Sequence, residues 1–251
     1  MRGSTAPSGE TETSSGRSTV KALVFDIFGT VVDWRRGIAR AAAAEGLPGP
    51  AFADAWRGRY VPDMDRVRRG DLPWLNLDQL QRRSLDELLP QFGGENLDAR
   101  SRERLVLAWH RLPAWRDSAP GLRRLRRRYL LATLSNGGFR LLTELAKQAR
   151  LPFDCILSAE LCRHYKPDPE VYGKACELLG LAPSEVMMVA AHRNDLRAAQ
   201  ACGLRAAFVE RPREFGSPDR ADRLPDPEAD VSARDLLDLA DRLSIWEPAA
   251  R

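Results

Sequence analysis

A series of short apolar runs, each followed by a segment of helical periodicity, constrains the fold more than any other feature of this sequence. The runs lie at 22–25, 129–134, 155–157, 186–190 and 206–209, and helical patterns follow at 139–149, 169–179 and 196–202. Continuous apolar strands that alternate with helices are typical of a parallel sheet covered on both faces. The sequence therefore predicts an α/β, Rossmann-like fold, with its chemistry beyond the carboxyl ends of the strands.

Residues 34–115 interrupt this alternation. They have helical patterns throughout, are rich in Trp and Arg, and contain no convincing strand. We predict that they form an inserted helical cap, and that residues 19–33 and 116–251 form the α/β core. Within that core, the Pro- and charge-rich segment 211–229 is predicted to be a surface loop.

Composition excludes several classes of protein. The sequence has no run of about 18 apolar residues, so no membrane span is expected. The first 18 residues are rich in Ser, Thr and Gly and lack the apolar middle of a signal peptide, which predicts a disordered tail on a cytoplasmic protein. The four cysteines show no CxxC spacing, so we expect reduced thiols and neither a zinc site nor a redox site.

The basic run RRLRRR at 123–128 raises the question of nucleic-acid binding. We favour a solvated helix face, because the chain is rich in Arg overall and no aromatic residues interleave with this run as they would in a single-strand binder. We therefore expect no nucleic-acid partner.

Two of the apolar runs end in polar residues that suit a reactive site. Asp26 follows the first run, with Gly29 and Thr30 close behind, and the next run ends at Ser135 and Asn136 before two glycines. Burying a carboxylate at the end of an apolar strand is costly, although Asp26 could also serve as a turn residue. The SNGG stretch leaves backbone N–H groups open at a helix start, which suits an anion as well as an ordinary strand-to-helix turn.

The later runs end in the same way. Lys166 and Tyr172 lie in HYKPDPEVY, and His192 and Asp195 lie in AHRND after the apolar run VMMVA. Lys166 could pair with Asp26 across neighbouring strands or lie on the surface. Asp195 could serve the site or the start of a helix. Four such features in order, each just past a strand, predict one site at a shared edge of the sheet.

Together the motifs DxFGT, SNG, KPDPEVY and the late Asp195 resemble the haloacid dehalogenase superfamily, from Val20 onward over nearly the whole chain. The inserted helices are similar in position to that superfamily's cap. Within it, the chain most resembles the type II (L-2-)haloacid dehalogenases.

Departures from the superfamily's phosphatase pattern favour the dehalogenases. Phosphatases carry a second Asp two residues after the first, where this chain has Phe28, and hold Mg²⁺ through acidic residues where this chain has Ala191 before Asp195. A halide leaves without needing a proton, which suits an apolar Phe28. The resemblance therefore implies no metal and no other cofactor.

The resemblance also implies a mechanism on a short 2-haloalkanoic acid. Asp26 would attack the α-carbon, expel halide and form an aspartyl ester, which water would then cleave to a 2-hydroxy acid. Thr30 and Lys166 would orient Asp26 and keep it ionised, and Asp195 would hold Lys166 and the hydrolytic water. For the substrate, the expected contacts are Phe28, Ser135, Asn136 and Tyr172, with Ser135 on the carboxylate and Asn136 on the halide side.

Arg57 matches the cap arginine that meets the leaving halide in this family. Arg59 is a rival for that role, and Pro62 could bend or end their helix. The best-known members have Tyr at Phe28, Ser at Ala190 and Asn at His192. His192 is therefore expected to position water in place of Asn, or to act as a general base near neutral pH.

Two alternatives remain open at this point. One is a Mg²⁺-dependent phosphatase on the same fold, and the other is a catalytically idle member that binds a partner, such as nucleic acid, through the 123–128 arginines. Retention of Asp26, Asn136, Lys166 and Asp195 together argues against the idle member. Exposed helical apolar stripes are compatible with a homodimer.

Overall fold

The computed structural model describes residues 19–246, so the predicted disordered tail at 1–18 lies outside the described residues. Within residues 19–246, six strands form a single sheet in the order β3-β2-β1-β4-β5-β6, and every pairing is parallel. The strands are β1 (Ala22–Phe25), β2 (Leu130–Ser135), β3 (Cys155–Ser158), β4 (Val186–Ala190), β5 (Arg205–Val209) and β6 (Val231–Ala233). The predicted α/β class is confirmed, and the bounds of β1 and β4 are those expected from the sequence.

Helices connect the strands and cover both faces of the sheet. They are α1 (Trp34–Ala44), α2 (Gly49–Arg68), α3 (Leu77–Leu88), α4 (Ala99–Ala108), α5 (Ser118–Leu125), α6 (Phe139–Gln148), α7 (Pro169–Leu179), α8 (Arg193–Ala201) and α9 (Leu236–Ile245). Short 3-10 turns lie at Leu89–Phe92, Trp109–Arg111, Ala159–Leu161, Pro183–Glu185 and Pro218–Arg220.

The segment between β1 and α5 is helical, and its described residues contain no strand. We call α1–α4 the cap helices. The longest of them, α2, continues through Pro62 to Arg68, so the expectation that Pro62 could end the helix is wrong. The ring of Pro62 removes one backbone donor but leaves the rest of the helix hydrogen-bonding pattern available.

Two buried apolar clusters hold the cap helices and the core together. On one face of the sheet, Leu23 and Phe25 of β1 belong to the same cluster as Phe52 and Trp56 of α2. On the other face, Val24 packs in a cluster with α7 and α8. The side chains of β1 alternate between the two clusters, as the period-2 geometry of a strand requires.

The prediction of a surface loop at 211–229 is only partly right. Arg211, Glu214 and Asp226 are buried, with 6%, 2% and 3% exposure. The guanidinium of Arg211 donates to the backbone oxygen of Thr30 at 2.8 Å and forms an ion pair with Asp117. The guanidinium of Arg211 is therefore satisfied inside the protein, which a Pro- and charge-rich composition does not reveal.

Several expectations from composition are met by the described residues. No helix among them combines the length and apolar character needed to cross a membrane, and the cytoplasmic location remains a prediction. All four cysteines are free thiols. Arg123 and Arg124 lie on an exposed face, where Arg124 forms an ion pair with Asp241, in agreement with a solvated helix face.

Candidate active site

Asp26 follows the last residue of β1, at the carboxyl end of that strand, and it is only 7% exposed. Its backbone N–H donates to Val189 O at 3.0 Å, which continues the pairing of β1 with β4. The hydroxyl of Thr30 donates to Asp26 Oδ2 at 2.8 Å, and the same hydroxyl oxygen accepts the Ala191 N–H at 2.9 Å. This second bond fixes the direction in which Thr30 donates.

Lys166 joins the two predicted carboxylates. Its Nζ lies 3.1 Å from Asp26 Oδ1 and 2.5 Å from Asp195 Oδ2. Burial alone would lower the pKa of Lys166, but the charges of Asp195 and Asp26 outweigh burial and raise it. The predicted pairing across the sheet is therefore present, and the ammonium carries its charge.

Asn136 and Tyr172 position this ion-paired group. The Asn136 amide accepts the Lys166 backbone N–H at 2.7 Å and donates to the Lys166 backbone oxygen at 3.3 Å. The Tyr172 hydroxyl donates to Asp195 Oδ1 at 2.6 Å. Burial and the Asp195 charge raise the pKa of Tyr172, so this hydroxyl keeps its proton.

The pKa values of the two carboxyl groups in the cluster are shifted in opposite directions. Burial alone would raise the pKa of Asp26, but Lys166, His192 and Thr30 together hold it well below its usual range. Burial raises the pKa of Asp195, and the nearby negative charge of Asp26 raises it further. Asp26 is thus an ionised carboxylate suited to act as a nucleophile, and Asp195 has the greater affinity for a proton.

These residues do not fit a divalent metal. Mg²⁺ needs near-octahedral oxygen ligands, usually including one or two carboxylates. The two carboxylates that could supply them are already joined by the Lys166 ammonium, and Ala191 contributes no side-chain ligand. On the surface, His164, Asp168 and Glu170 lie close together, but Arg68 forms an ion pair with Asp168.

The ring of His192 lies between two carboxylates. Its Nδ1 is 3.2 Å from Asp26 Oδ2, and its Nε2 is 3.0 Å from each oxygen of Glu214. Burial alone would lower the pKa of His192, but Glu214 and Asp26 raise it to about 10. A protonated imidazole has no lone pair to accept a proton, so this geometry argues against the predicted general base near neutral pH.

Glu214 is the main site residue that the sequence did not predict. It comes from the segment after β5, and its Oε1 also accepts the Trp34 indole N–H at 3.0 Å. Its carboxylate fills the space beside Gly29, where a Cβ would lie 2.2 Å from Oε1. In the sequence, the only local sign that another group packs closely at position 29 is that the residue is glycine. This sign does not identify Glu214 as that group.

A cavity of about 510 Å³ opens above the cluster. Asp26, Lys166, His192 and Asp195 line it from the core, and Arg57 lines it from α2. The Arg57 guanidinium lies over the Tyr60 ring at 3.9 Å, and its buried Nη1 has no hydrogen-bond partner among the described residues. A buried cationic donor without a partner is suited to an anion.

The rival arginine has partners elsewhere. Arg59 forms ion pairs with Glu87 and Asp63, and it is absent from the residues that line the cavity. Two residues along a helix correspond to about 200° of rotation, which separates the two guanidinium groups. The structure therefore brings Arg57, and not Arg59, to the cavity.

Three predicted substrate contacts lie behind the cavity wall. Phe28 packs against Trp109 and Tyr60, with ring centroids 5.7 and 6.3 Å away. Ser135 is buried and its hydroxyl accepts the Gly137 N–H at 3.2 Å, while Tyr172 points to Asp195. None of these three side chains lines the cavity, and of the predicted substrate residues only Asn136 does.

The predicted anion site at the start of α6 is also partly occupied. The Phe139 N–H at its first turn donates to Glu160 Oε2 at 2.7 Å. An acidic side chain from the turn after β3 thus satisfies a donor that the sequence left open. Nothing in the local sequence at 135–139 indicates this distant partner.

The sequence is similar to a known family and to its curated members. A family profile described as haloacid dehalogenase-like hydrolase matches residues 20–203. The (S)-2-haloacid dehalogenase 4A of Burkholderia cepacia is 31% identical over 196 residues, which cover 77% of this chain and 84% of that protein.

Solved structures are also similar. The L-2-haloacid dehalogenase PA0810 is 44% identical with a TM-score of 0.86, and the match covers 90% of this chain and all of that one. The defluorinating L-2-haloacid dehalogenase Rha0230 is 44% identical with a TM-score of 0.85, over 90% of this chain and 95% of that one.

Proposed function

The chain belongs to the haloacid dehalogenase-like hydrolases, and we propose that it hydrolyses the carbon–halogen bond of short 2-haloalkanoic acids through an ester on Asp26. It is an enzyme of the (S)-2-haloacid dehalogenase type, and its products are 2-hydroxy acids. We also propose roles for individual residues, and we propose that the cap helices form the lid of the site.

One observation carries this proposal. The same cavity holds an ionised, buried carboxylate on its core side. On its cap side it holds the Arg57 guanidinium, whose buried Nη1 has no hydrogen-bond partner among the described residues. Phe28 stands where a phosphatase needs a proton donor, and it is packed into aromatic rings away from the cavity. A nucleophile, a cation for the leaving group and no acid at position 28 suit displacement of halide from carbon.

In the first step, an oxygen of Asp26 attacks the carbon that bears the halogen. The new C–O bond forms as the carbon–halogen bond breaks, the halide leaves with the bonding electrons, and the carbon is inverted. Lys166 and Thr30 hold Asp26 in place through the bonds described above. Arg57 meets the developing negative charge of the halide with its Nη1, to which no other group in residues 19–246 is hydrogen-bonded.

In the second step, water attacks the carbonyl carbon of the Asp26 ester. We assign Asp195 to hold this water and to accept its proton, because burial raises the pKa of that carboxyl. The bond between Cγ of Asp26 and the ester oxygen then breaks. The oxygen that Asp26 contributed leaves as the hydroxyl group of the product, and the oxygen of the water restores the Asp26 carboxylate. Lys166 stays paired with Asp195 in both steps.

Halide release is the measurement that tests this function. Short 2-chloro-, 2-bromo- and 2-fluoroacids, as separate enantiomers, would be incubated with the enzyme in excess chelator and, separately, with added Mg²⁺. We expect halide release from (S)-substrates that is unchanged by chelator. A generic aryl phosphate serves as the comparison substrate, and Asp26→Asn as the inactive control.

The opposite pattern would overturn the proposal. Phosphate release that requires Mg²⁺, with no halide from any 2-haloacid, would identify a phosphatase. Loss of halide release in chelator with recovery on Mg²⁺ would show that the Lys166 ammonium does not take the place of a metal.

A further inference from the structure

We propose that Glu214 is a positioning residue that holds His192 as a two-sided hydrogen-bond donor directed at Asp26. The proposal rests on the function proposed above and adds a residue from outside the family motifs quoted for this chain. It also assigns separate tasks to the two oxygens of the nucleophile.

The contacts of the His192 ring require two protons. Nδ1 lies 3.2 Å from Asp26 Oδ2 and Nε2 lies 3.0 Å from the Glu214 oxygens. Ionised carboxylates can only accept hydrogen bonds. A neutral imidazole has a single N–H, so it would point a lone pair at one of the two carboxylates. The doubly protonated ring satisfies both.

Glu214 is itself held firmly in its place. Its side chain is 2% exposed, and Trp34 donates to Oε1 from α1. A buried carboxylate needs a cation as well as donors, and His192 is the one basic side chain paired with it among the described residues. The remaining charged groups near His192, besides Asp26, line the same cavity from other elements: Arg57, Lys166 and Asp195.

This arrangement distinguishes the two oxygens of Asp26. Oδ2 accepts hydrogen bonds from Thr30 and His192, while Oδ1 accepts one from Lys166. We assign Oδ1 as the attacking atom, because fewer of its lone pairs are engaged. Oδ2 then becomes the ester carbonyl oxygen. Negative charge develops on Oδ2 when water attacks, and its two donors already point at it.

Histidine ring ¹⁵N NMR of the whole enzyme tests the protonation directly, without any need for turnover. The chain has three histidines, and comparison with His192→Asn assigns the signals of interest. At pH 8 we expect the chemical shifts of a doubly protonated ring for His192. In Glu214→Gln, loss of one facing charge should lower the titration midpoint by about 1 to 3 pH units.

Kinetics supply the second readout, the pH profile of kcat/KM for halide release. The loss of activity at high pH should begin about 1 to 3 units lower in Glu214→Gln than in the wild type. Glu210→Gln is the matched control, because it makes the same change four residues earlier in a carboxylate bound to Arg223 and the Leu224 N–H, outside the site. Its profile should coincide with that of the wild type.

Two results would overturn this role. One is a neutral His192 ring in the wild type at pH 8. This result would refute the role of Glu214 even if Glu214→Gln failed to fold. The other is an unchanged His192 midpoint in a folded Glu214→Gln. Absence of halide release from a wild type whose His192 is doubly protonated would refute the proposed function and leave the hydrogen-bonding role of Glu214 intact.

Discussion

Replacement of Arg57 by Ala should slow the displacement of halide while leaving the fold intact. The guanidinium is always charged, and its buried Nη1 has no hydrogen-bond partner in the part of the chain that the structure describes. A unit charge about 4 Å from a halide, at an effective dielectric constant of about 20, contributes about 4 kcal/mol. The halide carries only part of its charge in the transition state, so we expect a loss of about 2–4 kcal/mol, or about 30- to 1000-fold in rate.

The assay is single-turnover kinetics of halide release from (S)-2-chloropropionate. Arg59→Ala is the matched control on the same helix, because that guanidinium pairs with Glu87 and Asp63 instead of lining the cavity. Both ion pairs lie outside the cavity, so their loss should alter the rate by less than about fivefold. Circular dichroism spectra of both variants would check that α2 is intact.

A near-normal rate for Arg57→Ala together with a severely impaired Arg59→Ala would refute the reasoning. It would mean that the cap helices adopt another arrangement during turnover and bring the second arginine to the halide. Equal, modest losses in both variants would refute it in a different way, by showing that neither guanidinium meets the leaving group.

Two further predictions concern the nucleophile and the stability of the cap. Asp26→Asn should abolish turnover, and a single wild-type turnover in H₂¹⁸O should place the label in Asp26 by mass spectrometry; label in the product alone would mean that water attacks carbon directly. The buried ring of His110 contacts the carboxylates of Asp78 in α3 and Glu144 in α6. Burial alone would lower the pKa of His110, but these two carboxylates raise it. The stability that it contributes is therefore full below about pH 6.5 and is lost as pH rises through the raised value. Melting temperatures of the wild type and His110→Gln should differ most near pH 5.5 and converge at high pH. The difference in the free energy of unfolding should be at most about 1 kcal/mol, because both carboxylates are partly exposed. A difference that is constant across pH would show that it does not come from the charge of His110.

Residues that follow buried strands were predictable, because strand register alone brings them together. Asp26, Lys166 and Asp195 are distant in sequence, yet parallel strands place their carboxyl ends at one edge. Strands β1 and β4 were identified as continuous apolar runs, because every residue in them is apolar. Strand β6 was missed, since it has three residues with Ser232 in the middle and follows a charged segment.

The contacts of single polar side chains were not predictable in the same way. Ser135 and Tyr172 were expected to touch substrate, but the hydroxyl of each has a partner within the protein. Glu160 and Glu214 reach the site from segments without a motif, and only the folded chain shows where their carboxylates lie. Local sequence predicts which residues end a strand, but it does not specify which distant side chain completes their hydrogen bonds.

The close approach of Glu214 to Gly29 restricts how this protein can change by mutation. Gly29 has a φ of +91°, and any β-carbon there would collide with the Glu214 carboxylate. A larger residue at position 29 is thus admissible only if the carboxylate withdraws, and His192 then loses the partner on its far side. Positions 29, 192 and 214 therefore form one epistatic unit, and a mutant library that varies them one at a time would miss the functional combinations.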